Sequence, residues 1–149
     1  MREGKNIITK LMAKTMDKEF VTYEQALALK ELGFKEECFK WYHNSDLLTD
    51  DEVFLIYNND NELFAFAPLK QQVFRWFREK HNWIGGIRQL SQSGNGMIIG
   101  EFRKDEDNNF MMFAETYDKC ENNCINELIE IAKQQDVSQG EYDNIQAGN

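Results

Sequence analysis

Proline is almost absent from this sequence: Pro68 is the only one in 149 residues. Histidine occurs twice and cysteine three times. With only His43 and His81 to serve as bases, and neither inside a nucleophile signature, a Cys–His catalytic pair is not indicated. Cys38, Cys120 and Cys124 are too few and too scattered for a disulfide framework, and they read as reduced thiols of a cytosolic protein. No apolar run approaches the roughly 20 residues that a membrane span requires, and residues 1–18 lack a secretory pattern. The expectation is a soluble cytoplasmic protein that needs no membrane. Hydrophobic residues are plentiful, at 42% overall and 13% aromatic, including eleven Phe and three Trp. That supply excludes general disorder and suffices for a real core in one domain.

Positive charge is also scarce, with 17 Lys and Arg against 26 Asp and Glu, a net charge of −9. Such an acidic chain has no general affinity for nucleic acid or anionic lipid. The deficit is uneven. Residues 1–67 carry eight cations against thirteen acids, and residues 105–149 carry two against eleven. Between them, residues 68–104 carry seven cations (Lys70, Arg75, Arg78, Lys80, Arg88, Arg103, Lys104) against Glu79 and Glu101. This basic segment either neutralises its acidic neighbours or meets an anionic partner. In the second case Lys70, Arg75, Arg78, Arg88, Arg103 and Lys104 are the candidate contacts for an anion or nucleic acid.

Along the chain, Ile7, Ile8, Leu11, Met12 and Met16 follow a loose helical spacing, so residues 1–19 form either a short amphipathic helix or an arm that orders on a partner. Thr22 and Gln25 fit a capping box, Ala26, Leu27, Leu29 and Leu32 supply an apolar face, and Gly33 suits a left-handed C-cap; a helix over 22–32 is expected. A short strand is expected at 38–42. Val53-Phe54-Leu55-Ile56-Tyr57 and Leu63-Phe64-Ala65-Phe66 flank the polar residues 58–62 and read as a hairpin. Pro68 opens a second helix, with Leu69, Gln72, Val73, Trp76 and Phe77 at helical spacing and cations near its end. Strands are then expected at 83–90, 97–103 and 110–114, the first two joined by Ser93-Gly94-Asn95-Gly96. Thr116 caps a last helix with Cys124, Leu128, Ile131 and Ala132 inward, fading near Gln135. Residues 136–149 read as a disordered tail. The fold class is α+β, one domain over 20–135 with lobes 20–67 and 68–135.

No motif supplies a reaction. Cys120 and Cys124 share a helix face, yet no second Cys/His pair completes four ligands. Asp105, Asp107 and Asn109 imitate the start of a calcium loop, but Phe110 stands at its glycine position and Thr116 at its bidentate acid. Gly85-Gly86 and Gly94-Asn95-Gly96 match neither phosphate-loop fingerprint, and a Gly pair within a strand marks a bulge or a close approach. Asp50 and Asp51 are adjacent loop acids without an apolar pocket. In Phe74-Arg75-Trp76-Phe77-Arg78 the rings belong to the core and the cations to the surface, so base stacking is not indicated. No catalytic residue, metal or cofactor is expected.

Two resemblances add to this. Residues 20–27 (Phe-Val-Thr-Tyr-Glu-Gln-Ala-Leu), 29–34 (Leu-Lys-Glu-Leu-Gly-Phe), 67–72 (Ala-Pro-Leu-Lys-Gln-Gln), 74–80 (Phe-Arg-Trp-Phe-Arg-Glu-Lys) and 128–131 (Leu-Ile-Glu-Ile) resemble a family of small proteins. That family is encoded by tailed phages and prophages of Bacteroidetes-type hosts. The resemblance spans most of 20–134 and implies a phage or mobile-element protein acting in the host cytoplasm, with no activity or site residues to carry over. Separately, the α-β-β-β-α order of 68–135 is similar to a double-stranded-RNA-binding domain. Such a domain holds RNA with its first helix, its first hairpin loop and a basic start to its last helix. Lys70, Arg75 and Arg78 match the first of these. The loop 91–96 has no cation, and the last helix opens Tyr117-Asp118-Lys119-Cys120-Glu121, a departure from the pattern. The leading expectation is therefore a non-enzymatic accessory protein that binds a protein partner. The alternatives are a nucleic-acid-binding module using 68–104, or a homo-oligomeric virion or assembly component.

Overall fold

The computed structural model describes residues 7, 16–56, 64–90 and 96–148. Among these, the chain runs α1 (Tyr23–Glu31), β1 (Lys40–His43), β2 (Asp46–Thr49), α2 (Asp50–Ile56), β3 (Phe64–Ala67), α3 (Lys70–His81), β4 (Ile84–Gln89), β5 (Ile98–Arg103), β6 (Asn109–Ala114) and α4 (Tyr117–Ala147). The class is α+β, with two three-stranded antiparallel sheets ordered β2-β1-β3 and β4-β5-β6. The expected helical arm falls mostly outside the described residues.

Helix α1 begins where its caps dictate. The Thr22 hydroxyl accepts from the Gln25 N–H, and the Gln25 carbonyl oxygen accepts from the Thr22 N–H, which satisfies two donors that the first turn leaves unpaired. Gly33 ends it at φ +86, where a side chain would be strained, and Phe34 is buried behind it.

The first lobe departs from the expected hairpin. Residues 53–56, read as a strand, belong to α2. The run Thr49-Asp50-Asp51-Glu52 explains this: the Glu52 carboxylate accepts from the Thr49 N–H at 2.9 Å, and three acids sit in the first turn. That arrangement is a helix start, and four apolar residues in a row do not by themselves distinguish strand from helix. The hairpin of this lobe is β1–β2, turning at Asn44 and Ser45 with φ 56 and 101. Asn accepts this conformation more readily than most residues. β3 then pairs with β1 from the other side. The expected turn 58–62 lies outside the described residues. The strand expected at 38–42 starts two residues later, at Lys40.

The second lobe follows its expected order. Pro68 precedes the helix rather than opening it: Leu69 is the N-cap of α3, and the Pro68 carbonyl accepts from Val21 N–H. Asn82 closes the helix in the left-handed region. β4, β5 and β6 form an antiparallel meander, and the loop 91–95 lies outside the described residues. Both α3 and α4 pack on one face of this sheet. Phe74 of α3 stacks on Phe102 at 5.2 Å between ring centroids, and a Cβ on Gly100 would stand 2.3 Å from Cys124 Sγ of α4. Gly100 thus lets α4 approach the central strand more closely than any side chain would allow.

α4 also continues past the expected end. Its inward stripe of Cys120, Cys124, Leu128 and Ala132 stops where the apolar pattern stops, yet the helix itself runs to Ala147. Residues 136–147, expected as part of a disordered tail, contain no proline and continue the helix, and those whose burial is described stand exposed, so burial and helicity end at different places. One apolar core joins both lobes, from Val21, Ala26 and Leu29 through Val73, Trp76 and Phe77 to Ile125 and Leu128. Gln25 ties α1 to α4 by donating to Asn126 Oδ1 at 2.8 Å.

Candidate functional site

Directly opposed residues of an antiparallel pair share a sheet face. The register therefore assigns Gly85, Ile87, Ile98, Gly100, Phe102, Phe110 and Met112 to the side covered by the helices. Ile84, Gly86, Arg88, Ile99, Glu101, Arg103, Met111 and Phe113 fall on the outer side. No described element covers that outer side. Ile84 is 70% exposed, Met111 53% and Phe113 51%; Glu101 holds the middle of the face, and Ile99, one row along between Arg88 and Phe113, is buried. A shallow concavity of about 740 Å³ lies here, with Ile84, Gly86, Arg88, Glu101, Arg103 and Met111 in its lining. Arg88 donates to Glu101 at 3.2 Å, and Arg103 donates to the Asp105 carbonyl at 3.3 Å.

A second concavity, of about 230 Å³, adjoins the first across the two glycines. It lies between α3 and β4 and is lined by Gln71, Phe74, Arg75, Arg78, Gly85, Gly86, Ile87, Phe102 and Tyr117. Gly85 faces the helix side without filling it, and a Cβ there would meet Glu101 O at 2.1 Å. The expected close approach at this glycine pair is a property of Gly85 alone, because Gly86 has open space around its Cα. Tyr117, on the first turn of α4, donates its hydroxyl to the Ile87 carbonyl at 3.1 Å.

The six cations picked out from the sequence divide accordingly. Arg75 and Arg78 line the cleft, and Arg88 and Arg103 line the outer concavity. Lys70 does not belong with them: its side chain is 2% exposed and its ammonium is paired with Asp118 on α4. The first position of α3 points towards the first turn of α4, and a buried ammonium needs such a carboxylate. Lys104 turns the other way and donates to Gln135 Oε1 at 3.4 Å. The exposed apolar residues Ile84, Met111 and Phe113 went unselected in the sequence. For Met111 and Phe113 the signal was the unbroken run Phe110-Met111-Met112-Phe113, since a strand apolar on both faces has two surfaces to cover.

The thiols are structural in character. Cys120 and Cys124 are fully buried, and burial pushes the Cys124 thiol up to about 12. Burial, with Glu36 nearby, does the same to Cys38. A thiol so shifted holds almost no nucleophilic thiolate at neutral pH. His81 packs against Trp76 and Phe77, and burial lowers its pKa. The Asp105 carboxylate is used locally, accepting from the N–H groups of Asp107 and Asn108, and hydrogen bonds from Asn108 hold its pKa down. Among the described residues no cluster of His, Cys, Asp or Glu is arranged to hold a metal ion, and no helix is long and apolar enough to cross a membrane. No protein family, curated protein or solved structure matches this chain.

Proposed function

We propose that this chain is a non-enzymatic accessory protein of a phage or mobile element, and that it acts by binding another protein. The observation that carries this reading is the outer face of β4-β5-β6, where Met111 and Phe113 stand exposed along β6 beside a buried Ile99, and Ile84 stands exposed at the start of β4. An exposed apolar strip of Met111 and Phe113 along β6, bordered by Glu101 and the arginines of β4 and β5, has the make-up of a protein interface, with apolar positions beside charged ones. The thiols have raised pKa values, and this reading calls on none of them as a nucleophile. The phage setting rests on the resemblance of the stretches around Thr22, Pro68 and Leu128, and it places the work in the host cytoplasm.

The test is affinity capture from host lysate, with and without nuclease, using the chain and its Met111→Glu/Phe113→Glu variant. A stoichiometric protein that survives nuclease and is lost with the variant supports the reading. Material that disappears on nuclease treatment overturns it in favour of nucleic acid. That second reading draws on one observation, the gathering of Arg75, Arg78, Arg88 and Arg103 around Gly85 and Gly86. It requires binding that falls steeply as salt rises. A defined multimer by light scattering, abolished by the same two substitutions, would instead assign the outer face to a second copy of the chain.

A further inference from the structure

Among the described residues β4 is an edge strand, and only the Tyr117 hydroxyl, on the Ile87 carbonyl, caps its outer edge. Natural proteins blunt such edges with proline, lysine, inward charges or a covering element, because unpaired backbone groups recruit another strand. Here the edge carries two glycines and no proline or lysine. The orientation of its backbone groups follows from two bonds. Leu90 N–H donates to Met97 O at 2.9 Å, so the pair just beyond the strand end faces β5. Alternation then turns the N–H and C=O of Gln89 and Ile87 away from β5. The bond from the Tyr117 hydroxyl to the Ile87 carbonyl agrees with that orientation. The outward groups of Ile87 and Gln89, apart from that one carbonyl, have no partner among the described residues.

Beside this edge runs the cleft between β4 and α3, lined in part by Gly85 and Gly86. Arg75 and Arg78 line it, both exposed, and neither forms an ion pair with any described residue. Two guanidinium groups without an ion-pair partner among the described residues thus stand at one cleft of a chain with a net charge of −9. β6, the opposite edge of the sheet, is flanked instead by Asp105, Glu106 and Asp107 before it and Glu115 after it. The two edges therefore differ in charge, and only β4 suits an acidic occupant.

We infer that β4 accepts an extended acidic peptide as a fourth strand, with carboxylate side chains of the peptide entering the α3–β4 cleft to meet Arg75 and Arg78. Backbone bonds to the Ile87 N–H and to the N–H and C=O of Gln89 supply sequence-independent affinity, and the cleft reads alternate side chains. Arg pairs with carboxylates in a bidentate geometry, so Asp and Glu are the side chains selected. A second copy pairing β4 with β4 is disfavoured, because it brings Arg75, Arg78 and Arg88 of both copies together. This proposal rests on the protein-binding reading above and names the class of partner.

The experiment is selection of a displayed library of random twelve-residue peptides on the immobilised full chain. Enriched peptides are then measured by fluorescence anisotropy beside a single-stranded oligonucleotide. The expected winners carry Asp or Glu at alternate positions and lack proline between them. Their affinity falls about tenfold or more with Arg75→Glu/Arg78→Glu, and Arg75→Lys/Arg78→Lys restores part of it. Gln89→Pro removes an outward N–H at an edge position that tolerates proline, and it weakens binding by about tenfold. In the complex the Ile87 and Gln89 amides exchange more slowly. Failure to enrich acidic peptides, equal binding to all variants, or tighter binding of the oligonucleotide through the same arginines would overturn the proposal. A lysate partner lost with Met111→Glu/Phe113→Glu but retained by the arginine and Gln89 variants would overturn it while leaving the protein-binding reading standing.

Discussion

The two sheets of this protein have the same number of strands and opposite fates. In β2-β1-β3, the Tyr42 face is buried towards α1, where the Tyr42 hydroxyl donates to the Val21 carbonyl and its ring meets Tyr23 edge-on. The Trp41 face is tied to α2 through a bond from the indole N–H to Asp50, and the ring leans on Phe66. The Tyr42 hydroxyl and the Trp41 indole N–H, one on each face, both find partners on neighbouring segments. In β4-β5-β6, α3 and α4 share one face, and the other keeps Ile84, Met111 and Phe113 in solvent. A sheet whose side chains are matched internally acts as scaffold. A sheet covered on one side only has surface left over for something else.

That contrast can be broken, and the largest effect is expected inside the second sheet. Gly100→Val places atoms where Cys124 Sγ already lies, and it should cost about 3 kcal/mol or more in urea unfolding. Gly86→Ala, with nothing near its Cα, should stay within about 0.5 kcal/mol of the parent. Similar losses at both glycines would remove the distinction between the covered and open faces. Lys70→Ala should cost about 2 kcal/mol by the same measurement, because the pair with Asp118 joins α3 to α4. If Lys70 instead governed peptide or nucleic-acid affinity with stability unchanged, its place inside the molecule would be refuted.

In the first sheet, Tyr42→Phe should cost about 1 kcal/mol through loss of the buried bond to Val21. On the outer face of the second, Met111→Glu should leave the melting temperature nearly unchanged, since Met111 is already half exposed. A strong loss there would mean that the face is covered after all. The finest test is pH. Burial, opposed by Asp136 and aided by Lys104, lowers the His81 pKa below its usual 6.5. The unfolded chain therefore binds this proton first as pH falls, so stability is full above about pH 6.5 and declines below it. His81→Gln should flatten that decline in denaturation measured across the mildly acid range.

Much of the fold was legible along the chain wherever a local chemical device marks a boundary. Thr22 with Gln25, Gly33, and Thr116 capping α4 through the Lys119 N–H all act within a few residues, so reading them needs no knowledge of what lies across the core. The misreadings arose where a device was overlooked or where two properties separate. The Thr49 and Glu52 pair was present in the sequence, but the apolar run after it drew the reading towards a strand. At the end of α4, loss of the apolar stripe at Ala132 was read as loss of helix, although backbone bonding needs no buried face to continue.

By itself, the sequence determined the α+β class, the acidic composition with its basic middle segment, the caps that start and stop α1 and the cap that starts α4, because composition and short-range bonding depend only on neighbours. Only the tertiary structure decided which cations are available. Lys70 and Arg75 lie in the same helix, and nothing local says that one is held by Asp118 of α4 while the other lines an open cleft. It also decided that Met111 and Phe113 remain uncovered, because which face a strand presents outward depends on where the helices of the rest of the chain come to lie.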